Sequence, residues 1–111
     1  VRNPALVIEA ARHAHPREAC GITMDGIAVE LTNISSRPRF TFNVGPVELK
    51  EAIETYDGRW DGVWHSHPDD ATEPSEDDLN WHPPGKALYI VAGGRVWEYD
   101  EEGVLQAVHD G

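Results

Sequence analysis

Basic residues are scarce in this chain: 9 Lys and Arg stand against 20 Asp and Glu, a formal charge of −11. A field of that sign repels phosphate backbones and anionic membrane surfaces. It attracts cations and basic or neutral partners, and lysine-rich substrate patches would suit it. Cysteine is nearly missing as well. Cys20 alone cannot form an intrachain disulfide, which fits a reducing compartment. No run approaches the roughly 20 apolar residues of a membrane span, and no basic-then-apolar leader opens the sequence. Internal repeats, linkers and low-complexity tracts are absent too. The expectation is a soluble, cytoplasmic chain forming one domain over residues 1–111, with neither nucleic acid nor membrane as a partner. The sequence leaves the oligomeric state open.

What is present suffices for a core. The chain is 40% hydrophobic and holds four Trp. A domain of this length buries roughly two-thirds of its unfolded surface. Trp60, Trp64, Trp81 and Trp97 are expected as core and rim packing.

Periodicity and punctuation divide the chain. Asn3-Pro4 can start a helix, with Asn as cap and Pro at the first helical position; Pro16 ends it near His15. Cys20 to Met24 and Ile27 to Ile34 form a hairpin about Asp25-Gly26, a type I′ dipeptide. Phe40-Thr41-Phe42 alternates like a short strand. Val47 to Tyr56 has helical period, with Val47, Leu49, Ala52, Ile53 and Tyr56 on one face and Asp57-Gly58 closing it. Asp61 to His67 is a strand and Ser75 to Trp81 a short helix. Ala87 to Ala92 and Arg95 to Tyr99 form a second hairpin about Gly93-Gly94. Val104 to Val108 is a last strand or a frayed tail. This order predicts a mixed α/β domain with one sheet and helices packed on it.

One stretch carries chemistry: His65-Ser66-His67-Pro68, then Ser75-Glu76-Asp77-Asp78 after an acidic loop. Residues i and i+2 of a strand face the same way, so two imidazoles there can converge on one ion. Pro68 lacks an N–H and takes the chain out of the ladder, which places the pair at a strand end. Asp78, from the next element, can supply a third ligand. Two imidazoles and a carboxylate make zinc the default, with a fourth tetrahedral position left for water; iron(II) is a rival on ligand type alone.

Simpler readings stand beside these. His65 and His67 could be two satisfied core histidines. Ser75 three residues before Asp78 is also a capping box, and a zinc-bound carboxylate cannot cap freely. His13-Ala14-His15 repeats the His-x-His pattern at a helix end, where the two side chains diverge, and is expected as solvated surface. Cys20 fits a small buried strand residue. His82 fits ordinary surface, and the acids from Asp69 to Asp77 a solvated loop. A metal-bound water needs a proton acceptor, and residue chemistry alone does not choose among Glu9, Glu18 and Glu48.

Together, His65-Ser66-His67-Pro68, Ser75 and Asp78 at this spacing, with Pro16-Arg17-Glu18-Ala19-Cys20-Gly21 upstream, resemble the JAMM (JAB/MPN) metalloprotease family, in its short bacterial and phage form. The resemblance covers nearly the whole chain. It implies an MPN-like (cytidine-deaminase-like) domain with a mixed, curved sheet flanked by helices. It implies that His65, His67 and Asp78 bind one Zn²⁺, that Glu18 handles the proton of the zinc water, and that Ser75 helps stabilise the oxyanion. The implied activity is hydrolysis of a peptide or isopeptide bond in a protein or peptide substrate. Similar bacterial proteins trim the C-terminal tail of ubiquitin-like sulfur-carrier proteins, and phage relatives act in tail assembly. A chain of this length has little room for the insertions of eukaryotic deubiquitinases. The alternative within the family is a non-catalytic MPN-type interaction module.

Overall fold

Both expected hairpin dipeptides turn the chain in the left-handed region: φ is 51° and 77° at Asp25 and Gly26, and 60° and 75° at Gly93 and Gly94. The computed structural model describes residues 1–55 and 59–111. Its elements run α1 (Pro4–Ala14), β1 (Cys20–Met24), β2 (Ile27–Leu31), α2 (Pro46–Thr55), β3 (Trp60–Ser66), α3 (Glu76–Trp81), β4 (Ala87–Ala92), β5 (Arg95–Tyr99) and β6 (Leu105–Asp110). The six strands form one sheet in the order β2-β1-β3-β4-β5-β6. β3 and β4 pair in parallel, joined by the crossover that contains α3; every other neighbour is antiparallel. This is the mixed α/β domain expected from the order of elements.

Alternation along the central strands gives the sheet two apolar faces. Trp64, Tyr89 and Val91 pack with Val7 and Ala10 of α1. Val63, Leu88 and Ile90 pack on the other face with Leu49, Ala52 and Ile53 of α2. Gly21 lets Trp64 lie flat on β1: a Cβ there would sit 2.0 Å from the Val29 carbonyl oxygen and 2.5 Å from the indole nitrogen. That nitrogen donates to the same carbonyl at 3.1 Å. Trp64 is fully buried, while Trp60 and Trp97 are half-buried at the rim. The side chain of Trp81 falls outside the described set.

Three expectations change, and one left between two readings is decided. Asn3 precedes α1 but makes no side-chain cap. Its amide instead pairs with the Ala28 backbone, accepting from N–H at 2.8 Å and donating to C=O at 3.2 Å, so it ties the helix start to the free edge of β2. Phe40-Thr41-Phe42 is not a strand. The Arg37 carbonyl accepts from both Phe40 and Thr41 N–H, and Asn33 Nδ2 donates to the Thr41 carbonyl, so turn and side-chain bonds take the place of a ladder. Val47 is 68% exposed rather than on the packed face of α2. Of the two readings of the tail after Gly103, the last strand holds: β6 pairs along β5. Tyr56, Asp57 and Gly58, where α2 was expected to end, lie outside the described residues. Among the described residues, no helix is long and apolar enough to cross a membrane.

Candidate metal centre

β3 delivers the two histidines. His65 has the parity of Val63, on the α2 face, and Phe42 stacks on its ring with centroids 4.5 Å apart. His67 lies just past the strand. Its N–H still bonds the Val91 carbonyl of β4, at 3.0 Å, before Pro68 leaves the sheet. His65 is completely buried and His67 reaches the cleft.

α3 delivers the carboxylate. Ser75 Oγ accepts from Asp78 N–H at 3.1 Å, and Ser75 N–H donates to Asp78 Oδ2 at 2.9 Å, so a full capping box starts the helix. The same box aims Asp78 at the histidines. Its Oδ1 is 3.1 Å from His65 Nε2 and its Oδ2 is 3.0 Å from His67 Nε2. The two Nε2 atoms are 3.0 Å apart. Two ligands each about 2.0–2.1 Å from a tetrahedral ion would stand about 3.3 Å apart, so this donor set fits one metal ion. His65, His67 and Asp78 can therefore hold one.

The register of β1 on β3 brings up Glu18. Cys20 faces His65 across the antiparallel ladder. Ala19 and Ser66 extend that pairing, with Ser66 N–H on the Ala19 carbonyl at 2.9 Å and Ala19 N–H on Ser66 Oγ at 2.8 Å. One step further along the same register come Glu18 and His67, near enough for their charges to interact. The Glu18 backbone is held on both sides: its N–H donates to the Pro38 carbonyl at 2.6 Å, and its carbonyl accepts from Asn33 Nδ2 at 2.9 Å. Glu18, His67, Ser75 and Asp78 line one cleft of about 580 Å³.

Residues 4–106 match the family of prokaryotic homologs of the JAB domain, Prok-JAB. The chain belongs to that family. Tail tip assembly protein K of Escherichia phage N15 is 33% identical to this Prok-JAB chain over 108 residues, covering 83% of the chain and 43% of the phage protein. The chain thus spans less than half the length of that curated relative. A protein from Desulfitobacterium hafniense with a known solution structure shares the fold at a TM-score of 0.69 and 22% identity, over 96% of this chain and 84% of that one. A JAB1/MPN domain protein from Archaeoglobus fulgidus, solved as a crystal structure, does so at 0.59 and 24%, over 96% and 91%.

The electrostatics of the Prok-JAB site follow from burial and pairing. Burial pushes the Glu18 carboxyl up to about 7, against the lowering effect of nearby His67. Burial also holds His65 below its usual value despite the Asp78 carboxylate, which keeps it neutral, the form that binds metal. His67 is raised: burial opposes its charge, but hydrogen bonds to Asp78 and to the Ala71 carbonyl outweigh that. Asp78 is also buried, yet the two histidines hold it well below the usual carboxylate range.

The other acids and histidines sort clearly. Glu9 is on the exposed face of α1, bonded to Arg12 and His13. Glu48 accepts from Thr32 N–H and Oγ1–H, where it ties α2 to the end of β2. Neither lines the cleft. Cys20 is buried, and burial pushes its thiol up to about 12. His13 and His15 are exposed, as expected. His82, expected on the surface, is buried at the end of α3 with Nε2 against the Lys86 carbonyl. The turn after α3, Pro83-Pro84-Gly85, brings the Lys86 carbonyl back to it.

Two contributors escaped sequence reasoning. The Ala71 carbonyl accepts from His67 Nδ1–H at 2.8 Å, so Nε2 is the nitrogen that would serve as ligand when a metal displaces its proton. A backbone carbonyl has no letter in the sequence. Phe42 supports His65, but the Phe-Thr-Phe alternation that could have flagged it pointed to a strand instead.

Proposed function

We propose that this Prok-JAB chain is a zinc-dependent metallopeptidase or isopeptidase that hydrolyses an amide bond at the C-terminal tail of a ubiquitin-like or sulfur-carrier protein. The observation that carries this reading is the convergence of His65 Nε2, His67 Nε2 and the Asp78 carboxylate in a cleft that also holds the buried Glu18. A zinc ion bound there supplies Lewis acidity, lowering the pKa of water toward about 7 and polarising a carbonyl. Glu18 takes the proton from the attacking water and returns it to the leaving amine. A carboxyl poised near neutrality suits both transfers. Ser75 Oγ accepts from Asp78 N–H, so its hydroxyl proton can be donated to the developing oxyanion. Phe42 and the Ala71 carbonyl orient the two histidines.

A second reading keeps the chemistry and changes the substrate. The likeness to a phage tail tip assembly protein favours a peptidase acting on a tail component. A third, a non-catalytic interaction module, gives no reason to bury, beside three metal ligands, a glutamate whose carboxylate has no hydrogen-bond partner among the described residues.

The test is zinc quantification alongside a cleavage panel of ubiquitin-like proteins with C-terminal extensions, read by intact mass. Cleavage by the wild type, lost in Glu18→Gln with zinc retained, supports the reading. Zinc bound by a protein that cleaves nothing in the panel or in a tail-protein set would leave the interaction module.

A further inference from the structure

Three of the nine basic residues stand at one rim of the cleft. Arg17, Arg37 and Arg39, with Pro16, Pro38 and Phe40, line a groove of about 550 Å³. Pro16, Arg39 and Phe40 also line the metal-site cleft, so groove and cleft are continuous. All three arginines are exposed. Of the other six basic residues, Arg12, Lys50, Arg59 and Arg95 each find a carboxylate, and Lys86 bonds the Trp60 carbonyl. Among the described residues, no carboxylate pairs with Arg17, Arg37 or Arg39, in a chain with 20 acids. Phe40 is 71% exposed, and the Arg37 guanidinium lies over its ring at 5.5 Å.

This rim is built, not frayed. The Arg37 carbonyl accepts from Phe40 and Thr41 N–H, both at 3.0 Å. Asn33 Oδ1 accepts from Ser35 and Asn43 N–H, and its Nδ2 donates to the Glu18 carbonyl. Because Pro38 also accepts from Glu18 N–H, the arginine turn and Glu18 are fixed to each other. Asp69 and Glu73 line the metal-site cleft and carry the opposite sign, whereas among the described residues no acid lines the arginine groove.

We infer that the rim of Arg17, Arg37, Arg39 and Phe40 binds an acidic segment of the peptide substrate. Carboxylate side chains meet the guanidinium groups and an apolar side chain covers Phe40, beside the bond presented to the metal site. The net charge of −11 points to basic partners for the surface as a whole; at the cleft the local charge reverses that preference. The inference rests on the peptidase reading for the identity of the substrate, but binding at the rim can be measured without turnover. Nucleic acid is the other polyanion such a rim could meet, and the acidic remainder of the surface disfavours it.

The test uses the full chain, metal-free and zinc-loaded, and fluorescence anisotropy. The probes are a fluorescein-labelled peptide with Glu, Asp and one Phe among Gly and Ser spacers, and its Gln/Asn counterpart. The acidic peptide should bind about tenfold tighter at low salt, with or without zinc, and lose that advantage in raised salt. Arg37→Glu with Arg39→Glu should abolish the preference, and Phe40→Ala should weaken both probes. Equal binding of the two peptides would overturn the inference, as would an unchanged preference in the double variant. Tighter Arg-dependent binding of a single-stranded oligonucleotide would overturn it too. Arg-dependent binding of the acidic peptide with no cleavage anywhere in the ubiquitin-like and tail-protein panel would sink the peptidase reading alone; cleavage in that panel without charge preference at the rim would sink this inference alone.

Discussion

Ser75 and Asp78 hold each other through two reciprocal hydrogen bonds, and the same Asp78 carboxylate faces both His65 and His67. Helix capping and metal ligation are therefore one arrangement. A carboxylate has about four acceptor positions on two oxygens, enough for the Ser75 N–H and for a metal. Ser75→Ala should lower stability by about 1 kcal/mol through the lost cap. Because the cap aims the ligand, it should also weaken zinc binding about tenfold. Denaturant melts and competition with a zinc chelator check the two effects. Unchanged zinc affinity would separate cap from ligand.

Glu18 gives the metal-free protein a pH dependence. Its folded pKa, raised by burial to about 7, exceeds the ordinary 4.5. It therefore contributes stability that is fully present below the lower value and lost as pH rises through the upper one. Glu18→Gln removes the charge that forms on the way up. Its stability relative to wild type should grow between pH 5 and pH 8, by on the order of 2 kcal/mol after allowance for solvent screening. Melts of both metal-free proteins across that range test this; a constant difference contradicts it.

The tautomer of His67 is set by Ala71. The carbonyl at 2.8 Å accepts from Nδ1–H, so the zinc-loaded protein should carry its proton on Nδ1. Long-range ¹⁵N–¹H correlation on labelled protein reads this directly, and a proton found on Nε2 would exclude that nitrogen as a ligand.

Gly21 is the tightest point of the sheet. Gly21→Ala drives a methyl into the Val29 carbonyl and the Trp64 indole, and should cost about 1–3 kcal/mol. Since Cys20 is paired with His65, a shifted strand should also disturb the site. A melt within error of wild type would mean that Trp64 moves aside freely.

Much of this was legible in the sequence, for reasons that differ by residue. Asp25-Gly26 and Gly93-Gly94 read correctly because positive φ at two successive positions leaves few residue choices. The convergence of His65 and His67 was legible because the i, i+2 parity of a strand end is local. The partnership of Glu18 with them depends on the register of β1 on β3, a long-range fact that chemistry alone could not select over Glu9 or Glu48. Asn3 has cap chemistry, but the free edge of β2 competes for its amide and wins. His82 looked like surface because nothing local announces that Lys86 folds back over it. Phe42 was visible but assigned to a strand; the bonds that replace the ladder come from Asn33, outside the alternating stretch.

The most direct measurement is zinc content per folded chain, by elemental analysis after dialysis, for wild type, Glu18→Gln, His67→Ala and Asp78→Ala. The account predicts about one zinc per chain in the first two and a large loss in the last two, since each removes one of three ligands. Full zinc retention in both ligand variants, or none in folded wild type, would contradict it.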